Sequence, residues 1–128
     1  MIYIVLNAVP ILVATLAGLA IGALFRRFST LPGPRPAFGV AAFVAEAWFC
    51  AILAGALILA PPEAGEWTMA IASAVVIWIG FVVPVLVVSL GVRQVRAGSI
   101  AWDAVHWLLV MLVQAVILKS IGLVPPPV

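Results

Sequence analysis

Five polar residues within or beside long apolar runs could do chemistry: Glu46, His106, Asp103, Gln114 and Asn7. A carboxylate transferred into hydrocarbon costs several kcal/mol, so Glu46 must be paired, hydrogen-bonded or protonated. Ionisable residues in such surroundings mark ion or proton pathways by default. We therefore interpret these five residues as candidates for handling a proton or a ligand.

The depth of Glu46 along its apolar segment, compared with that of His106 along a later one, predicts that the two side chains are partners. Glu46 lies about 12 Å into its apolar segment, and His106 lies about 10 Å from Ser99, the predicted N-cap of a later helix. Both segments run in the same direction, so the depths match. Asp103, His106 and Gln114 also span roughly 80° of one helix, which makes a polar face. We expect a cluster of Glu46, His106 and Asp103 that opens towards the cytoplasmic side, with Gln114 and Asn7 further out.

Two interpretations of the predicted cluster remain open. One is a pathway for protons or ions. The other is a structural hydrogen bond between Glu46 and His106 that fixes the register of two helices.

Other chemistry has little support in the sequence. One histidine and one cysteine cannot supply the usual ligands of a zinc site, so no metal site is predicted. There is no set of nucleophile, base and orienting group, so we assign no catalytic residue and predict that the chain is not an enzyme. No cofactor is predicted, although His106 could serve as a single axial ligand to a pigment or haem.

The composition identifies the solvent. Of the 128 residues, 67% are hydrophobic and 8% are charged, against about 25% charged in an ordinary soluble domain. A fold of this size cannot bury two thirds of its residues, which excludes a water-soluble globule. The lipid bilayer is therefore the predicted partner.

Four apolar segments divide the chain: residues 2–25, 38–60, 68–92 and about 100–124. Each is long enough to cross a hydrocarbon core of about 30 Å. Backbone polar groups in lipid must be satisfied within the segment, so these segments are predicted helices. Because the connections are short, we predict one transmembrane domain over 1–128, an all-α antiparallel four-helix bundle.

Basic residues predict the orientation. The second connection carries only Glu63 and Glu66, while Lys119 falls near the same side and could meet either of them. Under the positive-inside rule, the first and third connections are cytoplasmic and both termini are outside. The net charge of +2 thus indicates topology and does not indicate nucleic-acid binding. The basic residues of those two connections are Arg26, Arg27, Arg35, Arg93 and Arg96.

Small residues predict the packing face of the first segment, since helix contacts in lipid are enriched in them. Ala14, Gly18 and Gly22 share a wedge of about 100° with Asn7 and Thr15. This face could pack inside the monomer or form the seam of a dimer.

The second and third segments carry small residues too. In the second, Glu46 and Cys50 share a face with Gly39 and Ala42, whereas a separate stripe points elsewhere and suggests contact with a second protomer or another subunit. In the third, four residues share a face. Pro84 predicts a kink near Gly80, which could be either a fixed bend or a moving hinge. The stripe is Ala47, Ala51 and Gly55; the third-segment face is Ser73, Gly80, Pro84 and Gly91.

The third segment reads Trp-Ile-Gly-Phe-Val-Val-Pro over residues 78–84. This stretch resembles the W-x-G-F-x-x-P motif of the small bacterial membrane proteins catalogued as domain of unknown function 1761. The aromatic-rich stretch 102–107 and residues 22–25 are also similar. The resemblance implies a four-helix protein of the bacterial cytoplasmic membrane. That family has no established activity, so the resemblance transfers no functional residue.

Two functional hypotheses follow. The first is a small homo-oligomeric transporter or channel, which could be proton-linked and would use Glu46 and His106. Its pathway would lie between protomers, because four short helices enclose little volume. The second is a non-enzymatic accessory subunit of a larger membrane complex.

Overall fold

The structure is a computed structural model that describes residues 1–28, 33 and 35–127. Within these residues the chain is helical and contains no strand. Its elements are α1 (Ile2–Leu6), α2 (Ala8–Arg27), α3 (Phe38–Leu59), α4 (Glu66–Ile77), a π-helical turn (Trp78–Val82), α5 (Val83–Val92) and α6 (Ala97–Ile121).

Among the described residues, four helical segments are long and apolar enough to cross a membrane, which confirms the predicted all-α, four-span architecture. Three of them are α2, α3 and α6. The remaining one, here called the third span, is the continuous segment Glu66–Val92 that joins α4, the π-helical turn and α5.

The helices α2 and α6 form the central pair of the bundle. The helix α3 packs mainly on α2, and the third span packs mainly on α6. Where α2 ends and α6 begins, the rings of Phe25 and Trp102 lie 4.9 Å apart. We call this the arginine end, because Arg26 and Arg96 lie there, and we call the opposite end, with Glu63 and Glu66, the glutamate end.

The inward face of α2 is the predicted one. Ala14, Thr15 and Gly18 are buried, and Gly22 is half-buried. They pack within the chain, so this face is not a free seam for a dimer.

The helix α3 has one broad packing face, and the prediction of two separate faces is wrong. Cys50, Ala51, Leu53 and Ala54 are all buried on a single arc. Neighbouring helices cover a wide sector of α3, so both predicted sets fall partly inside it.

The small-residue stripe of α3 is covered by α1. The Tyr3 hydroxyl donates a hydrogen bond to the Ala51 carbonyl oxygen at 3.1 Å. A Cβ on Gly55 would stand only 2.8 Å from that hydroxyl oxygen. The stripe, with the half-buried Ala47 at its other end, therefore packs at least partly inside the chain.

The third span is the least covered of the four. Only Ala70 and Ala74 are buried along it. The predicted face turns outward, since Gly80, Pro84 and Gly91 are exposed. Ser73, the other member of that face, is half-buried.

The π-helical turn lies where the sequence predicts a kink. Proline lacks a backbone N–H and its ring crowds the carbonyl four residues earlier, which for Pro84 is that of Gly80. A π turn is one way in which a helix accommodates such a disruption. From the same turn, the Trp78 indole nitrogen donates a hydrogen bond to the Ala104 carbonyl oxygen of α6 at 2.8 Å.

The first predicted helix, 2–25, is broken at Asn7. Pro10 has no N–H for the Leu6 carbonyl, and its ring displaces that carbonyl. The buried Asn7 side chain donates to the carbonyl oxygens of Tyr3 and Val124, each at 2.8 Å. Its Oδ1 accepts from the Val124 backbone N–H at 2.6 Å. Asn7 thus fastens the segment after α6 to the break between α1 and α2.

The bounds of α6 also differ from the prediction. The helix begins at Ala97 with Arg96 in the N-cap position, so Ser99 lies inside it and is not the cap. It ends at Ile121 because Gly122 follows with a φ of 98°, a conformation that glycine adopts readily.

We expect Asn7→Ala to lower the free energy of unfolding by about 1–2 kcal/mol, because it removes the two part-buried hydrogen bonds that join Asn7 to the backbone of Val124. Thermal unfolding in detergent measures this change. A cysteine introduced at Val124 should also react faster with a maleimide in the Asn7→Ala background, while the native Cys50 is buried and stays silent. Ser120→Ala, at an exposed position of α6, is the control. Unchanged stability and labelling would contradict the assigned role of Asn7.

Candidate functional site

The two glycines of α2 provide the space in which the candidate polar side chains lie. A Cβ on Gly18 would collide with Glu46 Oε1 and would come within 2.6 Å of Gln114 Nε2. A Cβ on Gly22 would lie 3.4 Å from His106 Nε2. The glycines are one turn apart, about 6 Å along the helix. Side chains from α3 and α6 therefore reach the backbone of α2 at successive turns.

Glu46 interacts with Gln114 in this structure. Gln114 Nε2 lies 3.5 Å from Glu46 Oε1 and 3.3 Å from the Ala14 carbonyl oxygen. Gln114 is completely buried, and its Oε1 has no hydrogen-bond partner among the described residues. Glu46 itself is half-buried, so part of its side chain faces away from the protein.

The predicted hydrogen bond between Glu46 and His106 is not made. His106 Nε2 is buried and has no partner within the described part of the chain. The depth comparison placed Glu46 and His106 at one level, whereas Glu46 lies against Gly18 and His106 lies against Gly22, one turn away along α2. Each side chain therefore reaches a different turn of α2, and Gln114 takes the position predicted for His106.

Aromatic rings hold the imidazole of His106. Its centroid lies 5.1 Å from that of Phe25 and 5.2 Å from that of Trp107, which meets it edge-on. Asp103 is half-buried three residues earlier on α6, nearer the arginine end. His106 Nε2 faces Gly22 closely, so this orientation does not present that nitrogen to a flat ligand such as haem.

Asn7 takes no part in this group, because its side chain is bonded to Tyr3 and Val124 at the glutamate end. The structure thus brings Glu46 and Gln114 together, and it places His106 and Asp103 towards the arginine end. We refer to Glu46, Gln114 and His106, with the α2 backbone beside them, as the polar cluster.

Sequence reasoning assigned Arg26 to topology alone and missed its position beside this cluster. Arg26 Nη1 would lie 3.7 Å from a Cβ on Gly22, and its charge acts on both Glu46 and His106. The sequence could have predicted this position, because residues four apart share a helix face and Arg26 comes four residues after Gly22. Thr15 and Cys50 complete the buried surroundings, with Thr15 Oγ1 donating to the Ile11 carbonyl oxygen at 2.7 Å.

A separate cavity of about 560 Å³ opens at the glutamate end, between the end of α3, the start of the third span and the end of α6. Lys119 and Glu66 line it and form an ion pair, with Nζ and Oε2 3.2 Å apart. This pair confirms one of the two partners expected for Lys119. Within the described residues, no three His, Cys, Asp or Glu side chains gather as metal ligands would.

We expect Gly18→Ala to lower the free energy of unfolding by about 1–3 kcal/mol, since its Cβ would overlap the Glu46 carboxyl group. Gly22→Ala is the matched control one turn away and should cost less, because its Cβ would meet His106 at a tolerable distance. Thermal unfolding of both variants in the same detergent measures the difference.

The double variant Gly18→Ala/Glu46→Ala tests the cause of that loss. Removing the carboxyl group should restore part of the stability lost in Gly18→Ala, and the rest of the loss remains because the new Cβ would still lie 2.6 Å from Gln114 Nε2. Equal losses in the two glycine variants, or no restoration in the double variant, would contradict this account of the polar cluster.

Comparison with known protein families, curated proteins and solved structures finds no match for this chain. The functional interpretation therefore depends on the geometry of the polar cluster.

Proposed function

We propose that the chain is a small homo-oligomeric membrane transporter or channel whose central ionisable group is Glu46. The observation that carries this proposal is the position of Glu46, part-way along a membrane-length helix, against Gly18 and within reach of Gln114. Acidic side chains are costly at such positions, and where they occur they typically serve ion or proton movement.

The half-exposure of Glu46 supports a pathway between copies of the chain. Its carboxyl group contacts α2 and α6, while the residue as a whole is only half-buried, which leaves one side of it uncovered. In a lone protomer that side would face hydrocarbon, which is unfavourable for a polar group. A neighbouring copy would cover it and complete a polar pathway, which four short helices cannot enclose alone.

His106 and Asp103 support an entry route from the arginine end. His106 Nε2 is buried, has no partner in the described part of the chain, and lies one turn of α2 from the position of Glu46. A gap of about one helical turn is too long for a direct hydrogen bond, but one bridging molecule can span it. In this proposal Asp103 and His106 relay protons to Glu46.

The orientation and location belong to the same proposal. The arginine end faces the cytoplasm under the positive-inside rule, and the membrane is the cytoplasmic membrane of a bacterium. The resemblance to domain of unknown function 1761 supports the second statement and remains a prediction.

A flux assay tests this function. We expect proteoliposomes holding the purified chain to conduct protons or small cations faster than empty liposomes, as followed by an entrapped pH dye. Glu46→Gln should reduce that flux at least about tenfold, since it removes the ionisable group while preserving shape. Glu63→Gln, in the exposed α3–α4 connection, is the matched control and should leave flux unchanged. Wild-type flux equal to that of empty liposomes under each imposed gradient would contradict the proposal.

A second candidate, a non-enzymatic subunit of a larger membrane complex, is favoured by one observation. A nearly apolar groove of about 350 Å³ runs beside the poorly covered third span, between Phe49, Phe81 and Trp107. A helix of another chain could fill it. In both proposals the chain is not an enzyme and has no cofactor.

Native mass spectrometry after mild extraction from native membranes separates the two candidates. An oligomer of this chain alone favours the transporter or channel. A stoichiometric assembly with a different chain favours the subunit, and Glu46→Gln should then affect assembly or stability and leave flux unchanged.

A further inference from the structure

We propose that Glu46, Gln114 and the Ala14 carbonyl form a binding site for one monovalent cation of the size of Na⁺. This inference rests on the proposed function and names the substrate class of the same site.

The Gln114 amide group is poorly placed as a hydrogen-bond donor. Its Nε2 lies 3.3 Å from the Ala14 carbonyl oxygen and 3.5 Å from Glu46 Oε1. Both distances exceed the usual N–H···O separation of about 2.9–3.0 Å. Meanwhile Oε1 of the same buried amide has no partner among the described residues. The amide is therefore poorly satisfied in this orientation.

A half-turn of the amide exchanges its oxygen and nitrogen, so that Nε2 takes the position in which Oε1 now lies without a partner among the described residues. Oε1 then faces the Ala14 carbonyl oxygen and the Glu46 carboxylate across gaps close to those now spanned by Nε2. Oxygens about 2.4 Å from one cation and at right angles to each other are separated by about 3.4 Å. Na⁺ has nearly the radius of Ca²⁺, so the separations that are long for hydrogen bonds suit oxygens sharing a Na⁺ ion.

The space for the ion depends on Gly18. Any Cβ at that position would overlap Glu46 Oε1 and crowd the Gln114 amide. The missing side chain leaves the Ala14 carbonyl accessible from the side, and a carbonyl oxygen has a second lone pair beyond its helical hydrogen bond.

The charge of the surroundings favours a monovalent ion. Glu46 and Asp103 each supply one negative charge, and the Arg26 guanidinium offsets one of them, so that a single monovalent cation balances the group. From α6, His106 and, behind it, Asp103 face the same region. A divalent ion would leave excess positive charge here, which is costly in a medium of low polarity.

The same carboxylate cannot hold Na⁺ and a proton together. Each Na⁺ that leaves can be replaced by one proton on Glu46, so the exchange is electrically neutral at the site. The substrate class is thus a small monovalent cation exchanged for a proton, and binding of Na⁺ weakens as the solution becomes more acidic.

The test measures binding on the full chain in detergent, with Na⁺ as the probe. We expect NaCl to raise the thermal midpoint by about 3 °C or more over choline chloride at equal ionic strength. KCl should have a smaller effect, and the Na⁺ effect should fade at acidic pH. Glu46→Gln and Gln114→Leu should abolish it, and Glu63→Gln should retain it. If Gln114→Leu does not fold, Gln114→Asn withdraws the oxygen while keeping the amide and should weaken the effect.

Two results would overturn the inference: equal midpoints in all three salts for the wild type, or a Na⁺ effect that survives in Glu46→Gln. Flux measurements keep this failure separate from failure of the proposed function. A Na⁺ effect that depends on Glu46, in a chain without flux, supports the ion site and contradicts transport. Flux that depends on Glu46 but shows no preference among cations supports transport and contradicts the ion site.

Discussion

The close approach of α2 to its neighbours is the constraint on which the rest of the structure depends. In lipid, apolar side chains gain little by leaving their surroundings, so helices associate through close packing and hydrogen bonds. Ala14 and Gly18 supply that closeness along the buried face of α2. The same small residues leave room for Glu46 and Gln114. The same stretch of the α2 backbone therefore provides both the helix packing and the space for the polar side chains, so a substitution there changes both.

Around this strip the molecule is unevenly built. The segment after α6 and the break before α2 are joined through Asn7, which makes three hydrogen bonds. The third span, in contrast, buries two alanines and is fixed to α6 by the indole of Trp78. Its π turn and proline lie on the poorly covered side. The bundle thus has a firm core of α2, α3 and α6 beside a third span with few points of attachment.

The sequence predicted the elements better than their contacts. Span number, the inward face of α2 and the disruption near Gly80 follow from apolar length, small-residue spacing and proline chemistry, which are local properties. The partner of Glu46 could not be predicted in this way, because it depends on how far α3 and α6 are shifted along α2 relative to each other. The break at Asn7 could have been predicted from Pro10, because proline disturbs the carbonyl group four residues earlier in a helix. The coverage of Gly55 by Tyr3 depends on that break.

The pairing of α2 with α6 also has a consequence for the order of synthesis. A ribosome makes α2 first among the spans and α6 after the other three, so the central contact joins the earliest span to the latest. Until α6 arrives, Gly18 lacks its cover and Glu46 lacks Gln114 while both already reside in the membrane. Lipid offers Glu46 no substitute for the Gln114 amide during this interval. The contact between Glu46 and Gln114 therefore forms only when all four spans are present, and it couples the last span to a polar group of the second.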